Sequence, residues 1–156
     1  MTGKEHCYCP TVVWTGNSGV GTASYNAYER AHVVSAPGKA DIAGSSDKSF
    51  LGDASRWNPE DLLVAAASTC HMLWYLHLCA VNDVVIVGYR DEPEGVMIED
   101  ADGSGAFSRI VLRPLVKLSP SSSEQKARKL HHEAHKMCFI ANSVKCEIAT
   151  EPVFSR

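Results

Sequence analysis

Short runs of apolar and polar residues fill the first third of the chain, then merge between Leu62 and Ala80 into a stretch that is apolar on nearly every side. Thr11–Trp14 and Val20–Tyr28 have strand character, and Gly16-Asn17-Ser18-Gly19 between them predicts a hairpin. Ala31–Ser35 continues as strand until Pro37-Gly38 breaks it, and Lys39–Ala43 is a candidate third strand. Residues 44–57 are polar and glycine-containing, a loop leading into the first helix.

That helix is well punctuated. Asn58 is a natural N-cap, Pro59 suits the first helical position, and Glu60 and Asp61 favour the positive end of the helix dipole. The run through Ala80 leaves no polar face, so such a helix has to be surrounded. A small domain hardly wraps about six turns of apolar helix alone, which predicts a partner chain. Val84–Tyr89 and Val96–Glu99 read as strands separated by Pro93-Glu94-Gly95. Asp102-Gly103-Ser104-Gly105 is a turn before one long strand, Phe107–Leu118. Ser119–Glu124 opens a second helix that runs to about Met137. Cys138–Val144 is ambiguous, and Glu147–Phe154 reads as one closing strand. No repeat or linker divides the sequence, which predicts a single α+β domain over residues 1–156.

Composition narrows the function classes. A chain of 156 residues with 45% hydrophobic and 21% charged residues can bury a core without cross-links. Its net charge of −3 supplies no basic field for nucleic acid or anionic lipid. The start, Met1-Thr-Gly-Lys-Glu-His-Cys, lacks the apolar run of a secretory signal. Leu62–Val81 approaches membrane-spanning length, but Ser68, Thr69, His71 and His77 interrupt it, and a buried helix of a soluble cytoplasmic protein is the expected reading.

Six cysteines, at positions 7, 9, 70, 79, 138 and 146, then become the candidate chemistry. In a reducing compartment cysteines are reactive, metal-binding or simply buried. Cys70 lies mid-helix among apolar residues, where free cysteine usually acts as a small hydrophobe. Cys79 is half a turn round and roughly 13 Å further along the same helix, which makes it core. Cys138 ends the second helix, and His131, His135 and Cys138 fall on one helical stripe. Imidazole and thiolate suit zinc, so these three form one candidate metal or metal-sensing set, although neither Cys-x-x-Cys nor His-Glu-x-x-His occurs. Cys7 and Cys9 form Cys-x-Cys near the terminus, and Cys146 precedes the last strand. None of these three has a setting that promotes thiolate.

Asn58-Pro59-Glu60-Asp61-Leu62-Leu63, followed by Ser68-Thr69-Cys70-His71-Met72-Leu73, resembles the signature of the OsmC/Ohr family of hydroperoxide-reducing proteins. Cys138-Phe139-Ile140-Ala141-Asn142-Ser143 resembles that family's second-cysteine region, at the expected distance along the chain. The Gly-Gly-Arg-type segment of Ohr is absent and Phe139 stands where many relatives have proline, so the chain is closer to the OsmC-like branch.

The resemblance implies two antiparallel-rich sheets around two long buried helices in an intertwined homodimer, with active sites at the dimer interface. It also implies a cofactor-free thiol peroxidase. Cys70 attacks an organic hydroperoxide and is oxidised to a sulfenic acid, Cys138 resolves this as a disulfide, and an external thiol or dithiol reduces the pair. Burial in an apolar helix raises a thiol pKa, so the attacking thiolate needs a cation nearby. Arg30 is the candidate in the corresponding region, with Glu60 orienting it through a bidentate pair. Glu60 and Cys70 are roughly 15 Å apart along one helix, which favours a site composed from two chains. Trp57, Met72, Leu73, Phe139 and Ile140 are candidates to line an apolar substrate pocket, and His71 and His32 are candidate proton donors. Each of these has an ordinary structural alternative. A non-catalytic scaffold of the same fold is the third reading.

Overall fold

A computed structural model describes residues 3–156. Its contacts separate two compact units, one up to Leu62 and one from Leu63 to Arg156.

In the first unit, β1 (Thr11–Trp14), β2 (His32–Ser35) and β3 (Ile42–Gly44) form an antiparallel sheet in the order β1-β2-β3. The hairpin partner of β1 differs from the sequence expectation. Residues 19–28 are turns and bends, and Val12 instead faces Val34 of β2. Local turn chemistry wins over the strand propensity of Val20–Tyr28. The Asn17 side chain accepts from the amides of Gly19 and Gly21 at 2.9 and 3.0 Å, and both glycines take positive φ, 107° and 59°. Residues 44–57 form the expected loop. It is tied down by Asp47, whose carboxylate accepts from Ser49 N at 2.8 Å, and by Trp57 N, which donates to Ala43 O at 3.2 Å.

The long helix α1 (Pro59–Ala80) begins where its punctuation predicts, and Asn58 Oδ1 accepts from Asp61 N at 2.7 Å. In the second unit it is followed by β4 (Ile86–Asp91), β5 (Glu94–Glu99), β6 (Gly105–Leu112), β7 (Pro114–Leu118), α2 (Glu124–Met137), β8 (Glu147–Thr150) and β9 (Val153–Ser155). These strands form two sheets of three, β4-β7-β9 and β5-β6-β8. The long strand expected over 107–118 is two strands in two sheets. Pro114 cannot donate a ladder hydrogen bond, so the chain changes sheets there. The Asp91 carboxylate accepts from Arg113 N at 2.7 Å, securing the corner. The closing strand splits in the same way at Pro152. β8 runs parallel to β6, and β9 runs parallel to β7. Glu151 N donates to Leu112 O at 2.8 Å and Glu151 Oε2 lies 3.5 Å from Arg113 Nε, so the two corners are joined.

Two apolar clusters hold this unit. One gathers Tyr75, Cys79, Val84, Val116, Leu118, Ala127, Leu130 and Ala134, between α1, α2 and the first sheet. The other gathers Ala67, Ile110, Leu112 and Ile148 against the second sheet. α2 is amphipathic as its sequence requires, with Ala127, Leu130, His131 and Ala134 turned inward and Ser123 as N-cap. On α1 the buried stripe is Ala67, Ser68, His71, Tyr75 and Cys79. Cys79 is core, as its helical position predicts. The other sides of α1 are half-buried or exposed, and Leu73 is 63% exposed, so one chain leaves much of this apolar helix uncovered. By length and composition alone α1 would also pass for a membrane span.

Candidate functional site

Cys70 and Cys138, brought by α1 and the C-terminal end of α2, are near enough in the second unit for the Cys70 sulfur to act on the Cys138 thiol. Cys70 is half-buried and Cys138 is buried, and both are free thiols. The chain turns out of α2 at Cys138, whose backbone N–H still donates to His135 O at 3.2 Å while its φ and ψ are extended. The next turn folds back, and Ala141 N donates to Cys138 Sγ at 3.4 Å. Burial pushes the Cys138 thiol up to about 11, offset in part by the Ala141 amide and raised further by the adjoining Cys70 sulfur. Cys138 therefore stays protonated at neutral pH, and of the two sulfurs Cys70 is the more accessible to solutes.

Next to this pair is a polar feature inside the core. His71 Nε2 and His131 Nδ1 are 2.9 Å apart, and both rings are almost fully buried, at 1% and 3% exposure. Their planes are near parallel, and Tyr75 stacks on His131 with centroids 3.7 Å apart. Burial holds His71 at about 4 and His131 at about 3, so both are neutral at pH 7. One ring donates to the other, which leaves His71 Nδ1 and His131 Nε2 as buried atoms without a protein partner. His71 was a candidate proton donor from its position beside Cys70 in sequence; in the structure its Nε2 is committed to His131.

Arg30 and Glu60, both in the first unit, are not paired with each other there. The Arg30 guanidinium donates to Tyr28 O at 2.5 Å and Tyr25 O at 2.7 Å, and lies over both tyrosine rings at 4.2 and 4.4 Å. It also lines a cleft of about 340 Å³ with Glu29, Asp53 and Arg56. Glu60 Oε2 is buried without a partner. His32 Nδ1 is 3.0 Å from Arg30 O, which makes it a local brace of the strand entry. Trp57 is 54% exposed at the end of its loop.

Of the expected pocket residues in the second unit, Ile140 packs against the Ile110–Ile148 cluster and Met72 is half-buried. Leu73 and Phe139 are exposed, and Phe139 meets Trp74 edge-on at 5.8 Å. Leu73, Trp74 and His77 line a shallow open hollow on α1. The metal set fares differently. His131 Nδ1 is held by His71, Cys138 is buried against Cys70, and among the described residues no three His, Cys, Asp or Glu side chains converge to hold a metal ion. The helical stripe of His131, His135 and Cys138 is real in projection, but His131 is committed to His71 and Cys138 adjoins Cys70, while His135 is exposed.

The OsmC-like protein family model matches residues 52–152, a span that contains α1, α2 and both thiols. The chain belongs to the OsmC-like family. Among solved structures it is similar to an OsmC-like protein of unknown function from Vibrio cholerae O1 biovar eltor, with 32% identity, a TM-score of 0.86, and 96% of this chain and 100% of that one covered. It has the fold of an organic hydroperoxide resistance protein OsmC from Legionella pneumophila, at 15% identity and a TM-score of 0.68, with 97% and 100% of the two chains covered. An organic hydroperoxide resistance protein from Elizabethkingia anophelis is similar at 17% identity and a TM-score of 0.68, over 98% and 99%. No curated protein matches the chain.

Two features of this OsmC-like chain were invisible to sequence reasoning. His131 is the partner of His71 across 60 positions, which no helical periodicity links. Asp91 receives Ser68 Oγ at 2.5 Å as well as Arg113 N, so it ties α1 to the corner between the sheets. Its only signal was an acid two residues before Pro93, which is equally a turn residue.

Proposed function

We propose that this chain is a cysteine-based peroxidase that reduces organic hydroperoxides through Cys70 and Cys138. The observation that carries the reading is the contact between a half-buried thiol and a buried, firmly protonated one. That asymmetry suits a division of labour. The Cys70 thiolate attacks one peroxide oxygen, the O–O bond breaks, and the alkoxide leaves and takes up a proton to give the alcohol. Cys70 is then a sulfenic acid. Cys138 attacks its sulfur, a disulfide forms and water departs with the Cys138 proton. Two equivalents of an external thiol, or one dithiol, return both cysteines to thiols.

Arg30 and Glu60 belong to this proposal as the cation and its orienting acid. Support comes from an Arg30 guanidinium held by carbonyl and ring partners, and from a Glu60 oxygen that has no hydrogen-bond partner among the described residues. A second copy of the chain is the proposed source of the arginine that serves each Cys70. The uncovered apolar sides of α1, including Leu73, favour such a homodimer, since large exposed apolar patches mark interaction surfaces. Trp57, Met72, Leu73, Phe139 and Ile140 are the proposed apolar lining, and His71 acts behind Cys70 rather than on the substrate. With α1 covered by its copy, the reading includes a cytoplasmic protein working as a single domain.

The test is turnover with dithiothreitol as reductant and either cumene hydroperoxide or hydrogen peroxide as oxidant. An apolar lining predicts kcat/KM higher by about tenfold or more for the organic peroxide, since burying a few methylene equivalents is worth ~1–3 kcal/mol. Equal or reversed preference would remove the substrate assignment, and no turnover with either would remove the enzyme.

A further inference from the structure

Between α2 and the end of β8 is a cleft of about 470 Å³, with neither Cys70 nor Cys138 in its lining. One wall is a helical stripe of Arg128, His132, His135 and Lys136, and no carboxylate lines the cleft. The other wall is the end of β8 and the turn after it, with Ile148 and Pro152 as apolar surface. Two buried side-chain atoms in these walls, His131 Nε2 and Thr150 Oγ1, have no hydrogen-bond partner among the described residues. His131 is 97% buried, its other ring nitrogen is already taken by His71, and it is among the residues that line the cleft.

We propose that this cleft is a binding site for a phosphate monoester carrying a small apolar group. Arg128 and Lys136 now pair with Glu124 and Glu133 at 3.0 and 2.9 Å, on α2 but outside the cleft. Both pairs are about half exposed, and exposed ion pairs contribute little to stability, so a ligand oxyanion can exchange with the two carboxylates. Three terminal oxygens match donors spread over two helical turns better than the two oxygens of a carboxylate. The volume exceeds that of a bare phosphate, and the Ile148–Pro152 wall gives the ester group apolar contact.

The histidine pair gives the site a signature of its own. Each neutral ring carries one hydrogen and only one of them can donate across the 2.9 Å contact. An oxyanion near His131 Nε2 selects the tautomer with hydrogen on that nitrogen. His131 Nδ1 then accepts from His71 Nε2, and His71 Nδ1 becomes the bare nitrogen. Ligand binding in the cleft is thereby recorded in the ring beside Cys70.

Phenyl phosphate, benzoate and inorganic phosphate, titrated at matched ionic strength into the full-length 15N-labelled protein, test this. Phenyl phosphate should bind saturably, with amide shifts confined to α2 and residues 148–152, at least about fivefold tighter than either comparator. The imidazole 15N resonances of His71 and His131 should move together. Lys136→Gln and His132→Gln, both at exposed positions, should weaken phenyl phosphate about fivefold or more each, with unchanged thermal midpoints showing that the fold persists. Absence of saturation, benzoate binding as tightly as phenyl phosphate, or affinity unchanged in both variants would overturn the proposal.

Discussion

Replacing Cys70 with serine is expected to abolish hydroperoxide turnover, by about three orders of magnitude or more, because a serine hydroxyl near its ordinary pKa is a far weaker nucleophile than a thiolate. Cys138→Ser is expected to behave differently. Its Cys70 still attacks once, so one equivalent of cumene hydroperoxide is consumed and the sulfenic acid persists long enough to be trapped by dimedone. The distinction follows from the geometry. Cys138 is buried and held as a thiol up to about 11, so it is poorly suited to meet peroxide first. Its own loss removes only the partner that closes the disulfide. Mass spectrometry of the dimedone adduct at Cys70, beside peroxide consumption by both variants, measures both halves. Undiminished consumption by Cys70→Ser would end the peroxidase reading.

The second large effect is on stability. His71 and His131 are held near 4 and 3 in the folded chain against an ordinary 6.5. Below pH 6.5 the unfolded chain therefore binds protons that the folded chain refuses. Stability is highest above about pH 6.5 and is lost as the pH falls toward 4. Where both rings are protonated in the unfolded chain and neither in the folded one, the slope reaches about 2.7 kcal/mol per pH unit. The lowered carboxyls of Asp47, Asp53 and Asp102 act in a separate window below their ordinary 3.8. Urea unfolding at pH 7, 6 and 5 should show the loss. The double variant His71→Phe, His131→Leu should flatten it, because neither ring remains to titrate. A single His71→Ala should cost more than its volume suggests, since it leaves His131 Nδ1 buried without a partner, a penalty of ~1–3 kcal/mol. An unchanged slope in the double variant would show that other groups govern the acid limb.

The parts of this fold that sequence made legible are those fixed by neighbours in the chain. Asn58-Pro59 starts α1 where it should because cap and first turn are adjacent residues, and the α2 stripe of Ala127, Leu130 and Ala134 follows from periodicity. The strand runs 107–118 and 147–154 were read too long because alternation continues through a change of sheet, although Pro114 and Pro152 marked both corners. Val20–Tyr28 has the composition of a strand and the glycine dihedrals of a turn, and only the backbone distinguishes them. For the site, both cysteines were visible as residues, but spacing alone favoured Cys70 as core and made Cys138 no more than one candidate for a metal set. The OsmC-like resemblance paired them, and in the structure the two sulfurs adjoin. The His71–His131 contact joins two helices through the core, and nothing local encodes it.

On the proposed mechanism these two sulfurs form one redox unit. Peptide mapping under non-reducing conditions, after one equivalent of cumene hydroperoxide has been added to the reduced protein, tests it most directly. A single new linkage is expected, Cys70 to Cys138, with Cys7, Cys9, Cys79 and Cys146 still alkylatable as thiols. A Cys70 that stays reduced, or one that pairs with any other cysteine while Cys138 remains free, would contradict it.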